Sequence, residues 1–177
     1  MPATLGPART LLVVGIVALA ALPCRVPASE SGAREPPLLV GSAGQFNFVD
    51  SGDGLIGGGG EYRWAPLGRC KLIPGVGVTF VEGGSAYGYA ALHYDFRIGH
   101  SWFVTPVVGA GLFRNSDALD LGHAVQFKTG LEISLRVADR IRVGLQGYHL
   151  SNASLDDDNP GTEVLELTVL VPVGAAR

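Results

Sequence analysis

This chain is poor in the features that most often announce a function. Cysteine occurs only at Cys24 and Cys70. Because Cys24 lies in a segment expected to be removed, the mature chain would keep one cysteine and form no intrachain disulfide. There is no basic run and the net charge is only −3, which argues against nucleic acid as a partner. Gly57 to Gly60 is not followed by the Gly-Lys-Ser/Thr that a phosphate loop needs. Asp156 to Asp158 resembles a fragment of a calcium loop without its later ligands. Of His93, Asp95 and His100, only the first two share a strand face, so no metal and no cofactor is expected. From Leu38 onward no segment has a helical period.

What the chain does have begins with a run of apolar residues, Leu11 to Leu22, followed by Val26-Pro27-Ala28. The run matches the hydrophobic core of an export signal and falls short of the ~20 residues a spanning helix needs. Cleavage is therefore expected near Ala28, giving a signal peptide over 1–28 and a short periplasmic tail over 29–37. A lipoprotein signal at Cys24 is the weaker reading, since Pro23 spoils the lipobox.

Over 38–177, apolar residues recur at period two between turn signals. On one stretch Val125, Phe127, Leu131, Ile133, Leu135 and Val137 share a face, opposite Gln126, Lys128, Glu132, Ser134 and Arg136. Eight such runs are expected, near 39–49, 55–64, 71–81, 86–98, 101–113, 122–137, 140–151 and 162–173. Most reach the roughly 9–11 residues of a tilted membrane strand. The expected fold is thus all-β, an eight-stranded antiparallel transmembrane β-barrel with apolar residues outward and a polar, ion-paired interior. Pairs expected across that interior are Glu61 with Arg63, Lys128 with Glu132, and Arg142 with Glu166. Glycine, 26 of 177 residues, is concentrated inside these strands, where it permits the bends that closing a narrow barrel requires.

Chemistry gathers between Tyr148 and Leu167, YHLSNASLDDDNPGTEVLEL. His149 and Ser151 are two apart, so an extended strand sends both side chains from one face. The turn-rich stretch from Asn152 to Gly161 then reverses the chain, and Glu163 opens the next strand near His149. A nucleophile, a base and an orienting carboxylate in this order can form a Ser-His-acid triad. The pattern H-x-S-N followed by N-P-G-x-E (His149, Ser151, Asn152, Asn159, Pro160, Gly161, Glu163) resembles the lipid A 3-O-deacylase (PagL) family of bacterial outer-membrane esterases. That resemblance implies a lipid-facing site that removes the 3-position acyl chain of lipopolysaccharide. It implies Ser151 as nucleophile, His149 as general base and then acid, Glu163 as orienting carboxylate, and Asn152 at the oxyanion hole. Ser154 stands where a glycine would be expected beside such a hole.

Strand parity adds an independent statement. Ile141, Val143, Leu145, Gly147, His149 and Ser151 share one face, and Glu163 shares its face with Leu165, Leu167 and Val169. All three triad candidates lie on the apolar face, which in a barrel meets lipid. Ile141 to Ser151 rises ~33 Å at ~3.3 Å per residue, or ~25 Å along the membrane normal after tilt, so Ser151 stands at one rim. With the N-terminus in the periplasm, that rim is extracellular. The expected partner is lipopolysaccharide in the outer leaflet of the bacterial outer membrane, and homo-oligomerisation is left open. A non-catalytic structural or adhesive barrel, and a soluble barrel binding a ligand inside, are the rival readings.

Overall fold

The structure is a computed structural model that describes residues 35–49, 54–138 and 141–174. The expected signal peptide and most of the expected tail lie outside the described residues. The expectation that the mature chain forms no intrachain disulfide turns on the removal of Cys24, which also lies outside the described residues.

The described residues form strands and connecting turns, with no helix among them. In chain order the strands are β1 (Leu38–Phe46), β2 (Leu55–Arg63), β3 (Ile73–Val81), β4 (Ala86–His93), β5 (Phe96–Ile98), β6 (Trp102–Arg114), β7 (Val125–Ala138), β8 (Ile141–Ser151) and β9 (Thr162–Pro172). All pairings are antiparallel, and β1 pairs with both β2 and β9 while β4 and β5 both pair with β6. The sheet therefore closes into a barrel of eight staves, the fourth being β4 continued by β5. Among the described residues every strand but the short β5, which pairs with β6 alone, is paired on both sides, as a bilayer demands.

The fourth stave breaks at Tyr94 and Asp95. Asp95, between β4 and β5, accepts hydrogen bonds from Thr105 Oγ1 at 2.6 Å and Arg142 Nη1 at 2.7 Å. Another boundary also differs from the periodic reading. β7 begins at Val125 because 115–124 folds as its own loop, in which Asn115 Oδ1 accepts the Leu121 N–H and Ser116 Oγ accepts the N–H groups of Ala118 and Leu119. Leu119 and Leu121 from this loop are buried with Phe46, Tyr87, Phe113, Leu150 and Val164, so an apolar plug fills the mouth of the lumen.

Below the plug the interior is polar. Arg63 bridges Glu132 at 2.9 Å and Glu61 at 3.3 Å, and His93 Nε2 meets Glu61 Oε1 at 2.5 Å. Lys128 lies over the rings of Tyr89 and Tyr148. Two of the three expected ion pairs are replaced: Lys128 points at these rings and Gln146 rather than Glu132, and Arg142 binds Asp95 rather than Glu166. Side-chain reach, invisible to strand parity, selects these partners. Outside, Leu39, Ile56, Phe80, Leu112, Ile133, Leu145 and Leu167 are exposed. This inversion of a soluble protein's faces is what a hydrocarbon surround selects. It excludes the reading of a soluble barrel whose apolar face points in.

Candidate active site

Strands β8 and β9 place the candidate residues. His149 lies directly opposite Glu163 in the antiparallel register, both on the outer face and both at the loop end of their strands. Their side chains meet, with His149 Nδ1 to Glu163 Oε1 at 3.2 Å. A carboxylate can only accept, so this bond selects the tautomer with the proton on Nδ1 and leaves the Nε2 lone pair available as a base. Both side chains are partly accessible.

Ser151 stands two residues beyond His149 on the same face, but it is only 2% exposed and its Oγ makes no hydrogen bond among the described residues. The structure therefore joins His149 to Glu163 and leaves the hydroxyl beside them without a bond to the imidazole. Resting sites of this kind often hold the nucleophile loosely until substrate arrives.

The loop after Ser151 is built around Asn152, which is fully buried. Its N–H donates to Asn159 Oδ1 at 3.0 Å, its Nδ2 donates to the Asp158 carbonyl at 2.7 Å, and its Oδ1 accepts the Ser154 N–H at 2.9 Å. Ala153 and Ser154 both have positive φ, 54° and 65°. Such backbone costs about 1–3 kcal/mol per residue, and the three Asn152 bonds hold it in place. Ser154 thus occupies the conformation for which a glycine was expected.

Two glycines set the walls of this site. Gly161 has φ 66°, and a Cβ there would come within 2.9 Å of His149 Cε1 and 3.3 Å of its Nε2. Gly122, from the loop 115–124, has φ 76°, and a Cβ there would stand 2.8 Å from the Asp158 carbonyl oxygen and 3.5 Å from Asn152 Nδ2. The loop that plugs the barrel mouth therefore also backs the loop that carries Asn152. Gly161 was visible in the N-P-G motif, whereas the role of Gly122 depends on a contact between distant loops that no local pattern reports.

A groove of about 470 Å³ is lined by residues of β3, β4, β6 and β7 together with Trp64, and none of His149, Ser151 and Glu163 lines it. Its near end is made by Phe127 and Thr129, which pair directly with Ser151 and His149 across β7 and β8. It crosses β6 and β4 and ends at Pro74 and Trp64. Its lining is almost wholly apolar. Sequence reading missed it, because a groove spread over four staves has no local signature.

Among known proteins, the family described as lipid A 3-O-deacylase (PagL) matches residues 57–172. A curated relative from Bordetella bronchiseptica, lipid A deacylase PagL, is 26% identical over 110 residues, covering 57% of this chain and 62% of that protein. The chain thus spans less than two thirds of that relative's length. A crystal structure of the outer membrane enzyme PagL superimposes with a TM-score of 0.57 at 22% identity, covering 77% of this chain and 99% of the other. Neisserial surface protein A gives 0.57 at 14% identity, over 80% and 99% of the two chains. At these identities the superpositions speak for the fold alone.

Proposed function

The chain belongs to the lipid A 3-O-deacylase (PagL) family, and from that membership we propose that it is an outer-membrane hydrolase cleaving the ester-linked acyl chain at the 3-position of lipid A. The observation that carries the reading is the His149–Glu163 pair on the lipid-facing wall, with Ser151 beside it on the same face. A hydrogen-bonded imidazole and carboxylate gain nothing structural by facing lipid. At the rim, where lipid-face charge costs about 0–1 kcal/mol, they are tolerable.

In the proposed reaction a rotation of the Ser151 side chain brings Oγ to His149 Nε2. Oγ attacks the ester carbonyl carbon and its proton passes to Nε2. Glu163 holds the Nδ1–H and stabilises the resulting imidazolium. The tetrahedral oxyanion forms beside the loop 152–155, where Asn152 contributes the second hydrogen of its amide, the first being donated to Asp158. The sugar oxygen leaves with the proton from Nε2, the acyl group remains on Oγ, and a water deprotonated by His149 releases it as the fatty acid. The substrate never leaves the outer leaflet, because the triad faces lipid at the rim of the barrel.

Lipid A mass spectrometry from cells producing the wild type and Ser151→Ala tests this. Wild-type cells should lose the mass of one 3-linked acyl chain, and the variant should leave lipid A unmodified while still assembling in the outer membrane. Unmodified lipid A in both, or equal deacylation by both, sinks the proposal. The first outcome would favour a non-catalytic barrel.

A further inference from the structure

The loop over the barrel mouth carries a strained turn whose apex touches the loop 152–161, and we infer that Gln126 and Gly122 are positioning residues for the Asn152 amide; this rests on the reaction proposed above. Within the loop 115–124 the His123 N–H donates to the Leu121 carbonyl at 3.0 Å, and Gly122 between them has φ 76°. A bond closed over two residues around a central φ near +75° is a γ-turn of the rare, strained hand. Such a turn persists only where its surroundings hold it, and strain of this kind gathers at functional sites.

The side chains of Asn115, Asp120 and Gln126 hold it. Gln126 is fully buried, and its Nε2 donates to the carbonyls on either side of Gly122, to His123 at 2.6 Å and to Leu121 at 3.2 Å. Both partners can only accept, so the NH2 end of the amide faces them and both of its hydrogens are used. Its Oε1 is left buried without a bond among the described residues. The Gly122 N–H donates to Asp120 Oδ1 at 2.8 Å, and the Gly122 carbonyl accepts from Asn115 Nδ2 at 3.1 Å. Leu119 and Leu121, buried in the plug, seat the loop from below.

The apex meets the group that matters for the reaction. A Cβ on Gly122 would crowd the Asp158 carbonyl oxygen at 2.8 Å, and that same oxygen accepts the first hydrogen of the Asn152 amide at 2.7 Å. The two hydrogens of a planar amide diverge at a fixed angle, so the bond to Asp158 sets where the second one points. Gly122 therefore packs against the bond that aims the oxyanion donor, and Gln126 fixes Gly122 from the lumen side. Misplacing a catalytic group by ~1 Å can cost ~10²-fold in rate.

The experiment measures kcat and KM for fatty-acid release from lipid A by the purified full-length barrel in detergent micelles, with a heat-dependent gel shift reporting that each variant is folded. Gly122→Ala should lower kcat by about 10²-fold and leave KM within about twofold, because an interaction made only in the transition state is displaced. On an Asn152→Ala background the same change should cost less than about twofold, because the group it displaces is gone. Gln126→Met keeps the buried volume but removes both donors, and it should lower kcat by a smaller factor with KM again unchanged. Where Gly122→Ala gives no folded band, Gln126→Met with and without Asn152→Ala makes the same comparison. An active wild type whose kcat is kept in the folded variants, or a loss that multiplies in full with that of Asn152→Ala, overturns the inference and leaves the deacylase reading intact. A wild type that releases no fatty acid overturns both.

Discussion

The two faces of the barrel wall hold similar side chains for opposite reasons. Inside, Glu61, Glu132, His93 and Arg63 are buried and bonded to one another, and on β8 and β9 Tyr148 donates to Glu166. Outside, the same two strands carry His149 and Glu163, partly accessible at the loop end. The inner groups are buried in the lumen, where each charge depends on its partners. The outer pair takes no part in the backbone hydrogen bonds, so its loss leaves the barrel's ladder untouched. A polar side chain facing lipid is therefore the more informative observation about function, and a polar side chain facing the lumen about stability.

Exchanging the two environments separates these roles, and the largest effect should come from the outer carboxylate. Glu163→Gln keeps the size of the side chain but removes the charge that, in the proposed reaction, steadies the imidazolium. Turnover should fall by roughly 10²–10⁴, with an unchanged unfolding midpoint in urea. Arg63→Met should do the reverse. It strands Glu61 and Glu132 without their shared cation, and removing one partner from a buried ion pair costs about 3–5 kcal/mol. The urea midpoint should drop while turnover per folded molecule stays near wild type. If Arg63→Met silences the folded enzyme, or Glu163→Gln unfolds it, the division between the faces is wrong.

A smaller change probes the loop between the two regions. Ser154→Gly puts the residue of least steric cost into a backbone with φ 65°. It should stabilise by no more than about 1 kcal/mol, read as a slight rise in the urea midpoint, and leave turnover within a factor of about two. A large loss of turnover would mean that the Ser154 hydroxyl takes part in the reaction.

Much of this was legible in the chain. The alternation from Val125 to Val137 gave both the strand and the inversion of faces, and the parity of Ile141 to Ser151 put His149 and Ser151 on the lipid side. The Asn-Pro-Gly turn correctly set Glu163 opposite His149. What parity cannot supply is reach. Arg142 and Glu166 both point inward, yet Arg142 turns to Asp95, which parity also places inside on the face of His93, and the choice between the two carboxylates has no sequence signal. The same limit hid the engagement of Asn152 with Asn159 and Asp158, the contact of Gly122 with that loop, and the groove ending at Trp64.

The central claim, that one hydroxyl at the lipid-facing rim is made nucleophilic by the pair beside it, is tested most directly by covalent capture. Purified protein in detergent, treated with a long-chain sulfonyl fluoride and digested for mass spectrometry, should carry the label on Ser151. The label should be lost in His149→Ala. Labelling spread over several serines, or unaffected by the loss of His149, would contradict it.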